Sequence, residues 1–226
     1  MRLDLSDPIW SRLYGPHGVP RQPDLPERLG RLSARWDEEA AQLLFWHELH
    51  HQEELYPLTY AVLPWLRLLA PQSERVAEFY AQVLFCARRQ GEETAPFRGL
   101  SLRPQDHAHP WLPPAQRLQE TDMPVLAALA DWLRGEGAAL AALCLAAVPE
   151  DQPALAAHLV GGVAGWNGAR DLPLAMRMWA DGEEIARIRA EGAPGAVDRI
   201  QALHLADALQ ARVPDLSSFL RAYVSC

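Results

Sequence analysis

Residues 44–70 read LFWHELHHQEELYPLTYAVLPWLRLLA, and their reading decides the fold. The apolar residues Ala40, Leu43, Leu44, Phe45, Trp46, Leu49 and Leu55 recur at spacings that suit a helix over 37–55. Asp37, Glu38 and Glu39 favour its N-terminal end. Pro57 suits the first turn of a second helix over 57–69, ahead of Pro71. The stretch is thus expected to be two helices joined by a very short turn. Inside it, HELHH (47–51) fits the pattern H-E-x-x-H. On a helix that spacing points two histidines the same way beside a glutamate, as in a zinc hydrolase.

The same periodicity continues outward. A third helix is expected over 73–89, with Ser73 as its N-cap, then helices over 122–134, 137–148, 152–163, 172–191 (broken near Gly182), 196–212 and 214–225. The stretch 161–171, GGVAGWNGARD, reads as a turn. Residues 1–35 carry five prolines and read as an irregular arm packed on the body, with Trp10 and Tyr14 as anchors. Residues 36–226 read as a single domain with a long proline- and glycine-rich loop at 91–121. No stretch alternates as a strand should. The expected architecture is all-α, about eight to ten helices in a HEAT-like α-solenoid or an irregular stack of helix hairpins.

Composition narrows the function. The 226 residues hold 29 acidic side chains against 21 basic ones, a net charge of −8. That argues against nucleic acid and suits a basic partner. Every basic residue is arginine. Lysine chemistry is therefore excluded: no P-loop, no Schiff base, no lysine general base. The three cysteines, Cys86, Cys144 and Cys226, form no CxxC and no disulfide framework, and the first two sit in apolar runs as buried thiols would. The N-terminal stretch has no signal-like apolar core, and no long apolar window follows. A cytoplasmic protein with no membrane partner is the expectation.

Trp46, Glu48, Leu49, His51 and Gln52, followed by Tyr60, Ala61, Pro64 and Leu66, carry a resemblance. The segment resembles a hairpin of bacterial HEAT-like helical-repeat proteins, W-x-E-L-x-H-Q and then Y-A-x-x-P-x-L. Glu53 stands where that pattern usually has a small residue, and the position of His47 is not histidine in it. The resemblance implies stacked helix hairpins that act by binding a partner, as immunity or accessory proteins of bacterial toxin systems do.

One candidate contact surface follows, made of two parts. One is the acidic and aromatic end of the first hairpin: Glu48, His51, Glu53, Glu54 and Tyr56. The other is the loop segment DHAHPW with His107, His109 and Trp111, since tryptophan is enriched at binding hot spots. The reading these favour is a non-catalytic protein-binding module without cofactor, which the resemblance extends to an immunity or accessory protein that binds a basic toxin or effector. The rival is a zinc-dependent hydrolase with His47 and His51 as ligands and Glu48 as general base. An intracellular helical scaffold is the third. His158 and His204 each stand alone on an apolar helix and read as hydrogen-bonded structural histidines.

Overall fold

The computed structural model describes residues 1–21, 24–69, 74–89, 100–191 and 193–225. It is mostly helical, with ten α-helices among the described residues: α1 (Asp24–Ala34), α2 (Glu38–Leu43), α3 (Pro57–Leu69), α4 (Glu74–Arg89), α5 (Met123–Ala146), α6 (Pro153–Trp166), α7 (Leu172–Ala180), α8 (Ile185–Glu191), α9 (Ala196–Leu209) and α10 (Pro214–Val224). The all-α expectation holds. Ser73, and the first residues of the 91–121 loop, lie outside the described residues. The chain divides into two compact units. One comprises Met1–Pro71 and Arg98–Glu136, the other Gln72–Phe97 and Gly137–Cys226.

The first unit takes in residues 1–35, part of which is regular. Residues 24–34 are helical, and Leu25, Leu29 and Leu32 are buried along one side of α1. Trp10 and Tyr14 are buried, as anchors should be. The Trp10 indole donates to the Asp4 carbonyl at 2.7 Å, and the Trp65 indole of α3 donates to the Leu3 carbonyl at 3.0 Å. Arg12 grips the buried Asp122 carboxylate through Nε and Nη2 at 2.9 and 2.6 Å. Burial alone would raise the Asp122 carboxyl, but Arg12 and the Gln119 amide hold it below its ordinary value.

The expected helix over 37–55 is not continuous. Asp37 caps α2 by accepting from the Ala40 amide, and the helix then widens into a π turn over Leu44–Glu48. The chain next folds into a two-strand ribbon, β1 (His50–His51) and β2 (Glu54–Leu55), antiparallel with His50 opposite Leu55 and His51 opposite Glu54. Gln52 takes φ +54° in the turn between them. Three features oppose a straight helix here. Pro57 disfavours helical geometry at Tyr56. The Thr59 hydroxyl donates to the Leu49 carbonyl, which an interrupted helix leaves free. The Gly15 backbone lies so close to the Glu48 carbonyl that a Cβ would have no room.

In the second unit α4 packs on α6, α6 on α7, and α9 on α10. Two further boundaries differ from the sequence reading. Residues 123–146 form one helix, not two; Gly135 and Gly137 do not break it, and Gly137 lies under the Trp166 ring, where a Cβ would collide. Helix α6 runs to Trp166, so Gly161, Gly162 and Gly165 are helical. Gly162 and Gly165 are close-contact positions: a Cβ on Gly162 would lie 2.5 Å from the Ala81 carbonyl oxygen of α4, and one on Gly165 3.1 Å from the Phe85 ring. The turn begins only at Asn167, where Gly168 takes φ +91°. Gly182, at φ +80°, separates α7 from α8. Cys86 and Cys144 are buried, and burial pushes the Cys144 thiol up to about 12.

Candidate functional site

The site is built in the first unit around Tyr14, a residue read from the sequence only as an anchor. Two turns present it. The chain bends at Tyr14–Gly18, where Gly15 and Gly18 exchange backbone hydrogen bonds of 2.9 and 3.1 Å. Gly18 has φ +101°, so only glycine closes that bend without strain. The loop over residues 100–122 is pinned by buried Leu100, Leu112 and Leu118 and stiffened by short 3-10 turns at Pro104–His107 and Pro114–Gln116. It brings both loop histidines to the Tyr14 hydroxyl. His107 Nδ1 is 2.8 Å away and His109 Nε2 is 3.1 Å away.

Hydrogen-bond bookkeeping assigns the protons. His107 Nε2 lies 2.9 Å from the Ser101 carbonyl, which can only accept. Nε2 therefore carries the proton and Nδ1 is an acceptor. Tyr14 donates to that Nδ1, and its oxygen in turn accepts from the His109 Nε2–H. The order runs one way: His109 to Tyr14 to His107 to the Ser101 backbone. Burial pushes the His107 imidazole below its ordinary value, against the opposing pull of the Ser101 carbonyl and Asp106, which keeps the ring neutral as this order requires. Burial pushes the Tyr14 hydroxyl well above its ordinary value, with Tyr56, Glu54 and Asp106 adding to it. A phenol so held donates a hydrogen bond and does not act as a base.

Aromatic rings surround this network. The His109 ring stacks on the Trp111 indole, with centroids 5.1 Å apart and planes 11° from parallel. Tyr14 meets Trp111 and Tyr56 edge-on, at 5.7 and 6.2 Å. Tyr56 donates to the Glu54 carboxylate at 3.0 Å; burial first, and then that bond, push the phenol up to about 12. Trp111 remains 52% exposed although the cluster fixes its position. Leu112, not Trp111, pins the loop.

The two parts of the expected contact surface therefore meet around Tyr14: Glu54 and Tyr56 of the ribbon join His107, His109 and Trp111 of the loop. His51 and Glu53 are exposed at the ribbon's turn. The other HELHH residues are arranged differently from the helical expectation. His47 ends the π turn and His51 lies in β1, so the two do not share a helix face, and both are exposed instead of lining an interface. Glu48, the would-be general base, is engaged by both terminal nitrogens of Arg28. Among the described residues no three His, Cys, Asp or Glu side chains are grouped as metal ligands. Elsewhere, His158 donates through Nε2 to the Glu78 carbonyl at 2.9 Å, whereas His204 is exposed on α9.

No protein-family model, curated protein or solved structure matches the chain.

Tyr14 was the residue that sequence reasoning missed as a site residue. No spacing links it to His107, which lies 93 positions further on. Lowering the pH tests the network. His107 has a folded pKa below its unfolded value near 6.5. Its contribution to stability is present above that unfolded value and is lost as pH falls toward the folded one. The urea midpoint should therefore drop between pH 7 and pH 5, and His107→Gln should flatten that part of the profile. An identical slope in the variant would remove His107 from the account.

Proposed function

We propose that the chain is a non-catalytic protein-binding module whose contact surface centres on Trp111. The observation that carries this reading is a half-exposed indole stacked on His109 and met edge-on by Tyr14, two residues that a hydrogen bond joins. A large apolar ring that loses no freedom on binding suits a hot spot. Glu53 and Glu54 are exposed on the ribbon that carries Tyr56, and the chain is acidic overall, so a basic partner fits. The hairpin resemblance extends the proposal to an immunity or accessory protein of a bacterial toxin or effector system, in the cytoplasm, with helices stacked in HEAT-like fashion. Packing between successive helices, α6 on α7 and α9 on α10, supports such stacking. No helix among the described residues is long and apolar enough to cross a membrane.

Binding to the co-purifying partner tests the reading. Trp111→Ala should weaken affinity on the order of tenfold or more. Glu53→Lys with Glu54→Lys should slow association and reduce its salt dependence. Unchanged binding in both variants would remove this surface. Zinc near one equivalent in protein purified without a metal-affinity step, lost on His47→Ala, would replace the proposal with the hydrolase reading.

A further inference from the structure

A second feature lies in the second unit and is independent of the Trp111 surface. Arg170 is followed three and four positions on by Pro173 and Leu174, and these in turn by Arg177, four and three positions further, so the four share a side of α7 and its leading turn. Phe85 and Arg88 are spaced the same way on α4. The two stripes line one hollow of about 300 Å³, floored by the small residues Gly165 and Ala169. Its wall thus holds three guanidinium groups, and its apolar side is Phe85, Pro173 and an exposed Leu174.

What distinguishes these arginines is that three of them, exposed Arg170 and Arg177 and half-buried Arg88, line one hollow and none has a side-chain partner among the described residues. Several other arginines find carboxylates, as Arg12, Arg28 and Arg187 do, or backbone carbonyls, as Arg212 does at Ala146. Arg88, Arg170 and Arg177 make no ion pair and no side-chain hydrogen bond within the described residues. The nearest buried carboxylate, Asp198, is already committed to the amides of residues 170–172. Three like charges around one hollow repel one another, and an anion relieves that repulsion. Guanidinium forks match the oxygens of phosphate and carboxylate, and a hollow of this size takes a small organic body.

We infer that this hollow binds a small organic oxyanion, a phosphate or carboxylate group held by Arg88, Arg170 and Arg177 with an apolar body laid on Phe85, Pro173 and Leu174. Phenyl phosphate, benzoate, inorganic phosphate and benzyl alcohol are the probes, titrated into the full chain by calorimetry at low salt. Phenyl phosphate or benzoate, or both, should bind saturably and more weakly as salt rises; the tighter of the two identifies the anionic group. Inorganic phosphate and benzyl alcohol should each bind at least about tenfold more weakly, because each lacks one half of the recognition. Arg177→Gln and Arg88→Gln should each lose about tenfold, while Arg75→Gln, an exposed arginine elsewhere on α4, should lose nothing. Far-ultraviolet circular dichroism confirms that each variant is folded. The inference falls if neither aromatic anion binds, if inorganic phosphate binds as tightly as phenyl phosphate, or if folded Arg88 and Arg177 variants bind like the parent.

Discussion

Asp198→Ala should destabilise the chain by about 3–5 kcal/mol, the largest loss expected from any single side chain discussed above. Asp198 is buried on α9, yet one of its oxygens accepts from the amides of Arg170, Asp171 and Leu172 at 3.0, 2.9 and 2.8 Å. Those amides are donors that the start of α7 cannot satisfy internally. A carboxylate there also meets the positive end of the helix dipole. It does what an N-cap does, but from a distant helix, so it ties α9 to α7 as well as closing the helix end. Alanine removes the acceptor and leaves up to three amides short of a partner. Asn keeps an oxygen at the same place without the charge, and should cost about 1–2 kcal/mol. Denaturant unfolding of the parent and both variants decides the matter. Equal losses for Asn and Ala would show that the hydrogen bonds contribute little, and a loss below about 1 kcal/mol for Ala would refute the capping role.

Gly162→Ala comes next, with an expected loss of about 3 kcal/mol, the upper part of the usual range for overpacking. The added Cβ would stand 2.5, 2.8 and 2.9 Å from the carbonyl oxygen, Cβ and carbonyl carbon of Ala81. None of these is the tip of a flexible side chain, so α4 and α6 would have to separate along a buried contact. Gly161→Ala, one position earlier on the same helix, is the control. Its Cβ would meet Pro173 Cα at 3.5 Å, an ordinary contact, and the gain in helix propensity offsets any small strain. For a chain of this size the thermal midpoint should fall by roughly 6–12 °C for Gly162→Ala and stay nearly constant for Gly161→Ala. Similar midpoints for the two variants would mean that the helices are not in close contact at Gly162.

The comparison of these glycines shows where sequence reading stops. GGVAGWNG was legible as a cluster of breakers, and a breaker is what glycine is in isolation. Packed against Ala81, Pro173 and Phe85, the same residues remain helical because the contact they permit outweighs their weak propensity. The site divides in a similar way. Trp111, His107, His109, Glu54 and Tyr56 were legible as chemistry-bearing residues on turns and loops. Their meeting at Tyr14 was not, because nothing local connects a turn at residue 14 with a loop beyond residue 100.

The chain's own order of residues determined the all-α class, most helix positions from Pro57 onward, the buried cysteines and the exclusion of lysine chemistry. Each rests on local periodicity or on composition, which a linear reading contains in full. Tertiary structure alone decided that HELHH leaves the helix. A π turn and a ribbon replace the expected continuation because Pro57, the Thr59 hydroxyl and the Gly15 backbone all act on residues 48–56, and one of the three comes from a distant part of the chain. Helical spacing aligns side chains only while the helix lasts, and where it ends is settled by whichever groups arrive to take its free carbonyls.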